Sequence, residues 1–171
     1  MSKAFVKDEQ SDAVAIVPPR APLPDGVTNY VTPRGLELLR EELAAFGAER
    51  ARLAALGGES EQAAAALREL AQRRTELEQR LASAVVVDRS ELASDEVRFG
   101  AVVCVRGEDG RERRYQIVGV DEADAHAGKI AFVAPLARAL LGRRAGDSVV
   151  VRTPRGEEEL EIVQIETREP V

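Results

Sequence analysis

The chain is poor in the residues from which self-contained active centres are built. Its 171 residues include one cysteine, Cys104, one histidine, His126, no tryptophan and only 4% aromatics. A single cysteine and a single histidine cannot supply the four-thiolate or mixed thiolate and imidazole set of a structural zinc site. A Ser-His-Asp or Cys-His centre would have to run through His126, which sits in the turn-like stretch Ala125-His126-Ala127-Gly128. So few aromatic rings leave no stacking platform for single-stranded nucleic acid. Neither Gly-x-x-x-x-Gly-Lys-[Ser/Thr] nor Gly-x-Gly-x-x-Gly occurs, which removes the common nucleotide cradles. The longest apolar runs, such as residues 82–87, fall far short of a membrane span. The N-terminus carries Lys3, Lys7, Asp8 and Glu9 where a secretory signal would be apolar. A lone cysteine in a strand-like segment suits a reducing compartment, so a cytoplasmic protein is expected, with no membrane partner.

Charge is plentiful and leans acidic. There are 30 Asp and Glu against 24 Lys and Arg, a formal net charge of −6, and 21 of the basic residues are Arg. The excess sits mainly in residues 85–171, with 17 acidic and 13 basic groups, whereas residues 33–84 hold nine and eight. This balance disfavours binding to free duplex DNA.

Three regions follow one another. Residues 1–30 mix charge with Pro18-Pro19, Pro22 and Pro24-Asp25-Gly26 and show neither helical nor strand period, so they read as a flexible tail. Residues 31–84 read as a helical hairpin. Thr32-Pro33 is a helix start, with Thr as N-cap and Pro at the first helical position. Apolar residues then recur at Leu36, Leu39, Leu43, Phe46 and, past Arg50, at Leu53. Gly57-Gly58 stops the helix, and a second seam runs through Ala63, Leu67, Leu70, Arg74, Leu77 and Leu81. So short a turn makes the helices antiparallel, and Arg50 and Arg74 then each face a leucine and extend their charge outward. Each arm of about 24 residues spans about 35 Å at 1.5 Å per residue. Such a rod projects from the remainder.

Residues 85–171 change period. Strands are expected over 99–106, 114–118, 130–133, 148–152 and 160–165, with turns at Glu108-Asp109-Gly110 and Thr153-Pro154-Arg155-Gly156. Pro135 to Leu141 reads as one short helix ended by Gly142. The fold class is therefore α+β, an antiparallel coiled-coil hairpin followed by an antiparallel sheet domain with one short helix.

The segments Phe99-Gly100-Ala101-Val102-Val103, Tyr115-Gln116-Ile117-Val118-Gly119 and Asp121-Glu122-Ala123-Asp124 occur here in a particular order. They are followed by Pro135-Leu136-Ala137-Arg138-Ala139-Leu140-Leu141-Gly142, Gly146-Asp147 and Thr153-Pro154-x-Gly156. Together these resemble the Gre family of bacterial transcription elongation factors. Val31-Thr32-Pro33-x-Gly35 opening Leu38-x-x-Glu41-Glu42-Leu43 is similar to the start of that family's coiled-coil finger. The resemblance implies an FKBP-like C-terminal domain that docks at the rim of the RNA polymerase secondary channel, with the finger entering it. It further implies no catalysis by the factor itself and no cofactor of its own. Acidic residues at the tip help hold a second Mg²⁺ of the polymerase, which cleaves its own backtracked transcript. Mg²⁺ suits that role, because it takes one or two carboxylates beside waters and phosphate oxygens.

The tip departs from the family pattern, Gly-Asp-x-x-Glu-Asn-Ala-Glu-Tyr. Here it reads Gly57-Gly58-Glu59-Ser60-Glu61-Gln62-Ala63, on arms about one heptad shorter. Glu59 and Glu61 are the candidate cleavage-stimulating and Mg²⁺-binding residues, and acidic residues in a first helical turn are also common for the macrodipole alone. Pro135 and Arg138 are the candidate docking residues, with Ala134 where the family has Ser. Asp121, Glu122 and Asp124 form an acidic loop that reads either as a further partner contact or as a solvated turn. Arg111, Arg113 and Arg114 read as a soluble face beside a turn, Cys104 as a small buried hydrophobe, and His126 as an exposed loop residue. The expected partner is RNA polymerase, with nucleic acid met only inside the transcription complex, and the factor a monomer. Three alternatives stay open: a non-cleaving occupant of the channel, an FKBP-like peptidyl-prolyl isomerase resting on fold likeness alone, and a coiled-coil adaptor for another protein.

Overall fold

The computed structural model describes residues 20–55, 60–88, 95–154 and 156–166. Strand β1 (Asn29–Val31) leads into helix α1 (Pro33–Ala55), and α2 (Glu61–Ala82) returns the chain to strand β2 (Ala84–Val86). The Thr32 hydroxyl accepts the Gly35 N–H at 2.9 Å, and Pro33 occupies the first turn where its missing N–H is no loss. Ser60 caps α2 in the same way, its Oγ accepting the Ala63 N–H at 3.1 Å. Helices of 23 and 22 residues are each about 33–35 Å long.

The expected seams face each other. Leu39 and Leu77 are buried with Val31, and Leu36, Leu43, Phe46, Leu81 and Ala84 pack around them. Burial is concentrated at the base of the rod. Nearer the tip Leu53 is buried, while Leu67 and Leu70 are half-buried and Arg50 and Arg74 lie outside, as a two-helix rod with no third partner requires.

The body is a five-stranded sheet in the order β5-β4-β3-β7-β6. It comprises β3 (Val102–Gly107), β4 (Glu112–Val118), β5 (Lys129–Ala131), β6 (Ser148–Thr153) and the long β7 (Gly156–Glu166), with α3 (Pro135–Leu140) across its inner face. Alternation along the strands sends Val103, Val105, Ile117, Leu160 and Ile162 inward against Ala137 and Leu140 of α3. The outer face carries cross-strand ion pairs, Arg106 with Glu112, Arg114 with Glu166 and Arg152 with Glu157.

The fold class holds with one refinement, and three finer expectations are corrected. The sheet is antiparallel except where β5 pairs with β4 in parallel, because the 3-10 turn Val120–Glu122 and the loop after it carry the chain back before β5 begins. Residues 1–30 are not a tail throughout: Asn29 and Tyr30 lie in β1, and Arg20 is bonded to both α1 and the body, whereas residues 1–19 lie outside the described residues. Val85 and Val86 belong with the hairpin, since β2 pairs in parallel with β1 in the register Asn29↔Ala84, Tyr30↔Val85, Val31↔Val86. A parallel pair needs a long crossover, and the two helices are that crossover. Cys104 is half-buried rather than in the core, because it occupies an outward position of β3 between inward Val103 and Val105.

Candidate functional site

The start of α2 is polar and open. Glu61 is exposed in the first turn of α2, beside the Ser60 cap and followed by exposed Gln62. Glu59 lies outside the described residues. Among the described residues no group of three His, Cys, Asp or Glu stands close enough to hold a metal ion. An exposed carboxylate such as Glu61 has the chemistry to give one ligand to a Mg²⁺ held mainly by another molecule. Behind the tip, the rod surface is neutralised along each helix. Arg52 bonds Glu49 at 2.8 Å, Arg73 bonds Glu69 at 2.5 Å and Arg74 bonds Glu78 at 2.9 Å. The hydrogen bond from Arg52 holds the Glu49 carboxyl below the usual range, against the opposing effect of desolvation.

The base of the rod is where buried charge collects. Two adjacent carboxylates in the 3-10 turn reach different helices. Glu122 is buried: one oxygen accepts the Thr32 hydroxyl proton, and the other meets Lys129 Nζ at 3.1 Å. Thr32 thus uses both capacities of its hydroxyl, accepting from the first turn of α1 and donating to the body. A Cβ on Gly35 would stand 2.8 Å from the same Glu122 oxygen, so a side chain there would push the carboxylate aside. Asp121 serves the other helix. Its Oδ2 lies 3.4 Å from Nε of Arg80 in the last turn of α2, and its Oδ1 accepts from Arg20 at 2.5 Å. The Asp121 and Arg80 side chains are only 7% and 9% exposed, so each needs its counter-charge.

Apolar contact reinforces this junction. Tyr30 of β1 meets Phe99 and Phe132 of the body, the three ring centroids 5.7–5.9 Å apart in tilted or edge-on geometry. Gly119 lets the backbones close up, since a Cβ there would be 2.7 Å from the Tyr30 carbonyl oxygen. Asn29 Nδ2 donates to the Arg80 carbonyl at 2.9 Å, tying β1 to the end of α2.

The other sequence-derived candidates separate from these. Asp124 is exposed and accepts from the His126 N–H at 2.9 Å, so it shapes the turn before β5, and His126 is exposed as expected. Pro135 and Arg138 both face solvent on α3. Asp121 and Glu122 depart from the solvated-turn reading, because their side chains are spent within the molecule. Arg113 pairs with Glu158 at 2.5 Å, and Arg111 stands open beside Asp109. Arg20, Asn29 and Arg80 carry the junction without having been singled out from the sequence. The one available signal was Arg80, a charge placed immediately beside seam residue Leu81 at the rod's end.

Comparison with known proteins agrees with the geometry. The family described as transcription elongation factor GreA/GreB, C-terminal, matches residues 92–167. The chain is 41% identical over 153 residues to transcription elongation factor GreB of Neisseria meningitidis serogroup B, covering 81% of this chain and 93% of that protein. It is 50% identical over 91 residues to transcription elongation factor GreA of Azorhizobium caulinodans, covering 53% and 58% respectively. The crystal structure of GreA factor homolog 1 from Thermus thermophilus is 24% identical, covering 82% of this chain and 99% of that one with a TM-score of 0.40. A rod on an α3-covered sheet, and likeness to GreB over nearly its full length, place the chain in the GreA/GreB family of transcription elongation factors.

Proposed function

We propose that this chain binds RNA polymerase at the secondary channel and modulates elongation, with α3 and its neighbours against the rim and the rod inside. What supports the reading most is a projecting two-helix rod, neutralised along its sides and with exposed Glu61 in the first turn of α2, on a body of the Gre type. The body gives affinity and direction; the rod gives reach. Pro135 and Arg138 are the rim contacts, both solvent-facing on α3 and so open to a partner. At the far end Glu59 and Glu61 supply carboxylates to a Mg²⁺ of the polymerase, and the factor adds no nucleophile. The protein acts as a monomer in the cytoplasm and meets nucleic acid only within the transcription complex.

Halted, backtracked polymerase complexes test this directly. Transcript shortening with the wild-type chain, lost in Glu59→Ala/Glu61→Ala while binding persists, is the expected result. Binding without shortening would favour the second reading, a channel occupant that does not stimulate cleavage. One feature favours that alternative: after Glu61 the first turns of α2 continue as Gln62-Ala63-Ala64-Ala65, with no further carboxylate until Glu69. No binding at all would sink both.

A further inference from the structure

The segment before β1 crosses the junction between rod and body and touches three separate elements there. The Arg20 guanidinium donates through one nitrogen to Asp121 of the 3-10 turn at 2.5 Å, and through another to both oxygens of Glu42 on α1 at 2.6 Å. One residue on, the Ala21 carbonyl accepts from Arg80 of α2 at 2.6 Å. Two consecutive residues therefore join α1, α2 and the body. Burial disfavours the charge on Arg20, and the hydrogen bonds to Glu42 and Asp121 outweigh it, so its pKa is raised and the charge stays in place.

The contact to Glu42 is distinctive in position. Thr32, Glu122, Arg80 and Asp121 all act at the very root of the rod, where a tilt displaces atoms little. Glu42 is anchored about two and a half turns up α1 from Pro33, about 13 Å along the axis, and its carboxylate reaches back to the guanidinium that also holds Asp121, so this contact braces a part of the rod that the root contacts leave alone. A planar guanidinium that spans two carboxylates in fixed directions also restrains angle, which a flexible ammonium does not. We infer that Arg20 is a positioning residue, a stay that holds the rod at one angle to the body through Glu42. The root contacts hold the rod on; the stay sets where it points.

The test is a distance distribution by pulsed electron paramagnetic resonance. Spin labels are placed on exposed Ala71→Cys of α2 and exposed Val150→Cys of β6, in the full chain carrying Cys104→Ser. The parent should give one narrow distribution. Arg20→Ala and Glu42→Ala should each broaden it to the same extent, and the double variant no further, while Arg20→Lys falls between. Glu42 is surface-exposed, so its variant tests the idea without threatening the fold. Unchanged widths in both single variants, even with a lowered melting temperature, would mean that Arg20 merely stabilises, and would overturn the inference. Broadening in Arg20→Ala that Glu42→Ala does not reproduce would overturn it equally. The readout requires no polymerase, so its failure leaves the proposed function standing.

Discussion

At Thr32 one hydroxyl does two jobs, and the consequences of losing it can be separated from those of losing bulk. Thr32→Val keeps the shape, removes the cap of α1 and leaves the buried Glu122 oxygen without its donor. The expected loss is roughly 2–3 kcal/mol in denaturant unfolding, against less than about 1 kcal/mol for Thr32→Ser. The cap was legible in Thr32-Pro33, because a helix start is written in consecutive residues. Its second partner was not, because Glu122 is 90 residues away and no local pattern records that distance. Cys104 shows the opposite error, a small apolar-like residue read as core when strand alternation faces it outward. Partial burial, followed by the nearby Glu112 charge, raises its thiol pKa. Alkylation should therefore lag behind that of a free thiol at pH 8, approach it only at higher pH, and speed up in Glu112→Gln. A rate equal to that of glutathione would contradict this placement.

Helices and strands were the most legible features, since each repeats a burial pattern over many residues. The two seams mark the facing sides of α1 and α2, and the energy is unevenly spread along them. Leu77 is fully buried at the base, so Leu77→Ala should cost about 2–5 kcal/mol in chemical unfolding. Arg74, on the same seam but exposed, should change stability by no more than about 0.5 kcal/mol when replaced by Ala. Equal effects at the two positions would mean that the rod is covered along its whole length. The three-residue strands β1 and β2 are too short to show a period, and they form because the hairpin delivers their backbones side by side.

On the scale of the whole molecule, a rod and a body become one lever through contacts that no single stretch of sequence encodes. Gly119 shows how close the fit is. Its φ and ψ of −66° and 163° are open to any residue, so alanine there is excluded only by the Tyr30 carbonyl. Gly119→Ala should cost about 1–3 kcal/mol and widen the rod-to-body distance distribution, with the strands of the body intact by circular dichroism. Where the rod must enter a channel, only molecules with it correctly aimed can bind. The apparent Kd for polymerase should then rise in Arg20→Ala by the inverse of the aligned fraction, with little change in the bound state. The hairpin, the sheet and α3 were visible from periodicity and motif order alone. The aim of the rod was not, because it depends on Arg20, Glu42, Asp121 and Arg80, drawn from four separate places along the chain.

The parallel pairing of β1 with β2 has a mechanical consequence. The chain enters the pair at one end of β1 and leaves it at the opposite end of β2, so tension between residues 28 and 87 slides the strands past each other. Their hydrogen bonds are then strained together rather than opened one by one, and the two helices lie off the path of the force. A pull on the flanks tightens the clasp before it reaches the rod.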